Sequence, residues 1–101
     1  MAGINVPYEF PYETVAASQT AQVLGGTGAK GDYLHAIVAV VATAATSTIS
    51  ILDGATSISL MAANTPIGTY VIPLGLRSAN GAWSVTTGAG VSVIGVGRFS
   101  A

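Results

Sequence analysis

The chain has no cysteine and very little charge. Of its 101 residues, 7% are charged, whereas an ordinary globular domain carries about 25%. The lack of cysteine excludes disulfides, thiolate nucleophiles and cysteine-based metal sites. The lack of charge means that Ser, Thr, Asn and Gln must supply the polar surface, or that other subunits cover much of it. We expect both.

Basic residues are especially scarce, since Lys30, Arg77 and Arg98 are the whole set. Nucleic-acid binding needs a cluster of basic side chains against the phosphates, and the sequence contains none. No apolar run reaches the roughly 18 residues of a membrane-spanning helix. The first residues also lack the basic segment and apolar stretch of a secretory signal. The sequence therefore predicts no nucleic-acid partner and no membrane partner.

The longest apolar, β-branched run extends from Tyr33 to Ala42, YLHAIVAVVA. β-branched residues favour strands, and this run follows a glycine-rich loop and precedes a turn of small residues. We therefore expect a strand at the centre of the fold, covered on both faces.

Residues 47–61 predict a β-hairpin. Apolar and polar residues alternate on both sides of Asp53-Gly54, which places the apolar side chains of each strand on one face. An Asp-Gly pair between two alternating runs is the strongest short-range indication of a hairpin.

Further strands are expected at 18–24, 69–76, 82–86 and 91–99, separated by turns that contain Gly, Asn or Pro. Short strands at this spacing, with no helical pattern, are typical of an all-β sandwich or a small barrel, and we expect the sandwich. We expect one small sandwich domain over residues 18–101, with about seven or eight antiparallel strands. The predicted core comprises Ile37, Val38, Val40, Ile49, Ile51, Ile58, Leu60, Ile72, Trp83, Val85 and Val93.

Residues 1–17 predict an extended N-terminal arm. Proline fixes φ and lacks an N–H, so Pro7 and Pro11 exclude a helix or a central strand. Aromatic and acidic residues alternate here, and an extended chain would present them on opposite sides. The arm packs either on its own domain or on a neighbouring subunit. We expect the second, because aromatic residues carry much of the energy of interfaces. The candidate partner-binding residues are Tyr8, Phe10, Tyr12, Glu9 and Glu13.

Patterns that would indicate catalysis are weak. Glycines at 26, 28 and 31 match the dinucleotide-binding pattern, but that turn must open a helix, and here it precedes a strand. His35, the single histidine, has no strained Gly-x-Ser-x-Gly turn to pair with, so we expect it to be half-buried or at an interface. One histidine and four scattered acids are too few for a metal site. We expect no enzyme activity, no cofactor and no metal.

Trp83 is the only tryptophan. It offers a platform on which a sugar ring could stack. In a small sandwich, however, a lone tryptophan between turns is more often part of the core, and we place it there.

The order of turns and strands in the C-terminal part resembles small virion proteins of tailed bacteriophages. In that pattern an Asp-Gly hairpin precedes a strand with Pro-x-Gly and then Leu or Ile, a turn with Ser-x, then Asn or Gly, then Gly, a short strand and a valine-rich last strand. Here these are Asp53-Gly54, Pro73 to Leu76, Ser78 to Gly81, Trp83 to Thr86 and Val91 to Val96.

The resemblance covers residues 18–101 and implies a β-sandwich of the jelly-roll type. It implies a capsid decoration (cement) protein, often trimeric, that binds the major capsid protein on the outer surface of the virion head. The alternative within the same resemblance is a receptor- or glycan-binding module of a head fibre or tail. The resemblance supplies no catalytic residues, and it does not extend to the arm.

Assembly can be tested directly in solution. Because the chain is mostly apolar and poorly charged, we expect a homo-oligomer, with a trimer favoured. Its interfaces should be held by apolar burial, so raising the salt concentration should leave it intact. Multi-angle light scattering at low and high salt measures this. A monomer at micromolar concentration would contradict the prediction.

Overall fold

The computed structural model describes residues 12–43 and 48–100. This part of the chain contains eight strands and no helix. The strands are β1 Tyr12–Val15, β2 Gln22–Val23, β3 Tyr33–Val41, β4 Ile49–Asp53, β5 Thr56–Met61, β6 Gly68–Arg77, β7 Trp83–Thr86 and β8 Val91–Arg98.

The strands form two antiparallel sheets of four. The first sheet has the order β1-β8-β3-β6 and the second has the order β2-β7-β4-β5. The pairing is nested: β4 pairs with β5, β3 with β6, β2 with β7 and β1 with β8. This is a long hairpin rolled into two sheets, which is the jelly-roll arrangement. The prediction of an all-β sandwich is confirmed.

The run from Tyr33 forms the long inner strand of the first sheet, between β8 and β6. The expectation that both of its faces are covered is wrong. Ile37, Ala39 and Val41 are buried, but Val38 and Val40, which we had placed in the core, are half-buried on the outer face. A bulge between Leu34 and Ala36 decides which residues point inward, because one extra residue moves the following side chains to the other face.

The core lies between the sheets. Six of the predicted core residues are buried, and Ile58, Leu60 and Ile72 are half-buried against that core. The missed core residues have two causes. Val15 and Leu24 lie in or beside short strands where no alternation identifies them, whereas Ala39 and Val41 were missed because the inward phase of β3 was assigned to Val38 and Val40. The buried apolar residues are Val15, Leu24, Leu34, Ala36, Ile37, Ala39, Val41, Ile49, Ile51, Met61, Trp83, Val85, Val91 and Val93.

The hairpin of β4 and β5 has a two-residue loop, Gly54-Ala55, closed by the pair Asp53–Thr56. Gly54 has φ 61° and Ala55 is not among the residues with positive φ, which fits a type II′ turn. The predicted hairpin is confirmed, with the loop one residue further on than the Asp-Gly pair suggested.

The first strand begins earlier than expected. Tyr12–Val15 pairs with β8, so part of the predicted arm belongs to the sandwich, and the strand expected at 18–24 is reduced to Gln22–Val23. Between them the chain crosses from one sheet to the other. Thr87 holds this crossing, since its Oγ1 donates to the Ala16 carbonyl and accepts from the Gln19 N–H.

Two glycines on the inner face of β8 leave space for neighbouring groups. A side chain at Gly95 would meet Leu24, and one at Gly97 would meet the Phe99 ring and the backbone at Leu34. Glycines on one face of the last strand predict the close approach of another backbone or of a large side chain, with Trp83 as one candidate. The close approach is confirmed, but the groups are the Leu24 side chain, the Phe99 ring and the backbone at Tyr33 and Leu34 rather than Trp83.

Trp83 provides a test of the core. Its side chain is 1% exposed, and its Nε1 donates to the Asp32 carbonyl over 2.9 Å. Trp83→Ala should therefore lower the free energy of unfolding by about 3–5 kcal/mol. Urea denaturation measures this loss. Val23→Ala, at a partly exposed site on the adjacent strand, is the control and should change stability by about 0.5 kcal/mol or less. Equal effects of the two substitutions would contradict the assignment.

Candidate interaction surfaces

The outer face of the first sheet is apolar, and we call it the apolar face. Side chains opposite each other on neighbouring strands share a face, so the strand register defines three rows that cross the sheet. None of their residues is charged. The rows are Tyr12–Val96–Ala36–Pro73, Thr14–Ile94–Val38–Val71 and Ser92–Val40–Thr69.

Large side chains of the apolar face are open to solvent in the single chain. Tyr12 is 70% exposed and Val71 is 66% exposed. Between them, Val38, Ile94 and Val96 are half-buried. A contiguous apolar surface of this kind is unusual on a monomer and typically marks an interaction site.

The outer face of the second sheet has a different chemistry, and we call it the hydroxyl face. Its two rows are Val23–Ser84–Leu52–Ser57 and Thr86–Ser50–Ser59. Hydroxyl residues make up most of these positions. Ser84 is buried, and the other hydroxyl side chains of these rows can donate to and accept from water without carrying charge. The two sides of the sandwich are therefore unlike each other.

Asp32 is a structural hub rather than a free carboxylate. It is 8% exposed, and its carboxylate accepts from the Ala29 N–H, the Ser100 N–H and the Ser100 hydroxyl over 2.8 to 2.9 Å. Its carbonyl accepts from the Trp83 indole and the Ser78 N–H, both over 2.9 Å. Burial raises the pKa of Asp32, but the hydrogen bonds from Ser100 and Ala29 outweigh it and hold the pKa below its ordinary value.

The other two described acids are also bound to the backbone. Asp53 accepts from the N–H groups of Asn80 and Ala79 over 2.9 to 3.1 Å, and these bonds lower the pKa of its carboxyl group. Glu13 accepts from the Gly25 N–H over 2.7 Å and from the Gln22 amide over 3.2 Å. All three acids therefore fasten loops to strands.

Two of the basic residues flank one aromatic residue. Tyr33 is opposite Arg77 on one side and Arg98 on the other. The Tyr33 hydroxyl lies 3.2 Å from His35 Nδ1, and Arg77 donates to the Gly31 carbonyl over 3.3 Å. His35 is exposed rather than half-buried. This row lies at the end of the first sheet, beside the apolar face.

The structure separates the predicted partner-binding residues. Tyr12 projects from the apolar face, whereas Glu13 turns inward to the hydrogen bonds above, so their expected placement on opposite sides is found. Glu13 consequently has a structural role that the sequence did not indicate. Tyr8, Glu9 and Phe10 lie outside the described residues.

Two searches for other kinds of site found nothing within residues 12–43 and 48–100. No group of three or more His, Asp or Glu side chains is placed to hold a metal ion. No helix there has the length and apolar character needed to cross a bilayer.

Comparisons with known proteins give no relative. The chain matches no protein-family model, no curated protein and no solved structure.

The two aspartates predict how stability depends on pH. Their pKa values are below the ordinary 3.8 in the folded chain, so the unfolded chain takes up protons more readily. Stability should be constant above that value and fall as the pH drops below it. Urea midpoints measured between neutral pH and the acid range check this. The Asp32→Asn/Asp53→Asn variant should be less stable at neutral pH and show a flatter acid decline. An equally steep decline in the variant would contradict the assignment.

Proposed function

We propose that the chain is a structural virion protein, a decoration (cement) protein on the outer surface of a tailed-bacteriophage head. The observation that carries the proposal is the difference between the two outer faces of the sandwich. The apolar face lies against the shell formed by the major capsid protein, and the hydroxyl face is turned to solvent. The family resemblance of residues 18–101 supports the same function.

The apolar face suits permanent attachment rather than repeated binding and release. Its three rows contain no charged residue, so association there removes apolar surface from water without stripping water from ions. The few ionic groups nearby, Arg77 and Arg98, stand at the end of the sheet. A surface of this kind gains affinity from contact area and shape, and salt affects it little.

A subunit with one apolar binding face and one hydrated face also explains why the chain has so few charged residues. The hydroxyl face keeps the attached protein hydrated while adding no net charge to the virion surface. The subunit stabilises the shell by connecting neighbouring capsid subunits and by contacts with its own copies, for which a trimer is the favoured arrangement. The described acids all serve the fold, and we propose no catalytic role for any residue.

The alternative is a receptor- or glycan-binding module of a head fibre or tail. Its candidate sugar-binding residue, Trp83, is not accessible to a ligand. Trp83 is 1% exposed and its indole nitrogen is bound to the Asp32 carbonyl, so it offers no ring face to a sugar. The observations favour the head surface over this alternative.

Copy number in virions tests the function. Quantitative mass spectrometry of purified virions that contain this chain should give a copy number in proportion to the major capsid protein. A copy number in proportion to tail components instead would favour the receptor-binding alternative and contradict the proposal.

A pair of charge substitutions tests the attachment surface. Val71→Glu places a carboxylate at the most exposed aliphatic position of the apolar face, and an unpaired charge in an apolar interface is costly. We expect at least about ten-fold weaker binding to heads that lack the protein, equivalent to about 1.4 kcal/mol. Ser57→Glu on the hydroxyl face is the matched control and should bind normally. Equal loss in both variants, or none in Val71→Glu, would contradict the assigned face. Co-sedimentation with heads measures binding.

A further inference from the structure

One side of the sandwich is less well sealed than the other. The β1 and β2 edges are joined by Gln22, whose amide donates to the Glu13 carboxylate and to the Thr14 carbonyl. The opposite edges are β6 of the first sheet and β5 of the second. Half-buried apolar side chains gather on these two edge strands. They are Ile58 and Leu60 on β5 and Tyr70, Ile72 and Leu74 on β6.

The β6 strand is a strong candidate for pairing with another strand. It is ten residues long, Gly68–Arg77, and within the described residues it pairs only with β3. Proteins usually protect such edges with charges, short strands or coverage by other segments. Here Arg77 at the end is the only charged residue of the strand. Pro73 removes one N–H, and the remaining backbone is able to pair.

We propose that residues 4–10 of a second copy of this chain add to the free edge of β6 as a fifth strand of the first sheet. Their apolar side chains cover the half-buried residues of β5 and β6 and seal the core. This proposal shares with the proposed function only the requirement that the chain assembles with copies of itself.

The sequence of this segment has the pattern of an edge strand. Apolar residues occupy every second position, at Ile4, Val6, Tyr8 and Phe10, so an extended segment presents all four on one face. Pro7 and Pro11 both occupy odd positions. In an extended chain their missing N–H groups fall on the same edge, which leaves the other edge able to pair.

The same chain cannot fill its own β6 edge with these aromatics. Tyr12 lies in β1, at the far side of the first sheet. A strand added to β6 would be four strand spacings from β1, about 19 Å at about 4.8 Å each. Tyr8 is four residues from Tyr12, and four residues span at most about 14 Å. Tyr8 and Phe10 can therefore reach this edge only on another copy.

Beyond the Tyr12–Val96 pair, β8 offers only two further residues for pairing. Tyr12 is opposite Val96, and β8 ends at Arg98. A straight continuation of β1 would pass the end of β8 after two residues. Strand addition of this kind gains affinity from main-chain hydrogen bonds and selectivity from alternate side chains. It also explains why β6 combines a long edge, unpaired among the described strands, with incompletely covered apolar residues.

Cross-linking between single-cysteine variants tests the proposal, since the natural chain has no cysteine. Glu9→Cys and Val71→Cys are chosen because neither side chain points toward the core: Val71 lies on the apolar face of β6, and in the proposed arrangement Glu9 of the added strand lies on the same face. The two full-length variants, one carrying an affinity tag, are mixed, allowed to exchange subunits and treated with a short bismaleimide. Docking raises the local thiol concentration from micromolar to about millimolar, so the inter-chain product should form roughly a thousand-fold faster than for undocked chains.

Two controls make the result specific. Ser57→Cys is also exposed, but it lies on the hydroxyl face and should link to Glu9→Cys only at the undocked rate. Thr14→Cys lies at the opposite edge of the first sheet and should behave in the same way. Equal linking to either control, or no link to Val71→Cys in the oligomer, would overturn the proposal. So would a product that stays within one chain when the Glu9→Cys/Val71→Cys double variant is diluted.

The outcomes separate this proposal from the proposed function. A missing cross-link together with a head-like copy number in virions would remove the exchanged segment and leave the decoration function. A specific cross-link together with a tail-like copy number would do the reverse.

Discussion

The sandwich depends on the hydrogen bonds that converge on Asp32, one of the few charged residues in the chain. Its carbonyl joins the end of β6, through Ser78, to the Trp83 indole of the second sheet. Its carboxylate fastens the chain after β8 through Ser100. Burying a carboxylate is costly unless donors surround it, and here the backbone supplies them. The carbonyl and the carboxylate of this one residue thereby join three strand ends of the first sheet, and the carbonyl binds the core tryptophan as well.

The residues that make these hydrogen bonds do not belong to the outer faces of the sheets, so the side chains of the outer faces are not needed for them. Most small domains use charged side chains for solubility. Here the described acids bind loops instead, because Asp32, Asp53 and Glu13 all accept hydrogen bonds from backbone N–H groups. One outer face is consequently built from hydroxyl groups and the other from apolar side chains. An unequal pair of faces gives the subunit a defined orientation on a surface. Hydrophobic burial supplies the affinity, and the hydroxyl face supplies hydration.

The edges of the sheets complete this picture. The β1 and β2 edges are linked by Gln22, while the β5 and β6 edges leave five apolar side chains half-buried. The core of a chain of about 100 residues supplies little net stability, because the free energy gained by burial and the chain entropy lost on folding nearly cancel. A strand from another copy that covers the β5 and β6 edges would make the stability of each subunit depend on its assembly.

Local patterns in the sequence determined the fold class, the hairpin around Gly54 and the burial of Trp83. Alternation and turn residues depend on neighbours a few positions away, so they can be recognised without the fold. Only the tertiary structure decided that Val38 and Val40 face outward, because the bulge at Leu34/Ala36 depends on the pairing of β3 with strands distant in sequence. The same holds for Glu13, whose inward role depends on Gly25 and Gln22. The apolar face was likewise invisible in the sequence, since its rows combine residues from four strands that only long-range pairing brings together.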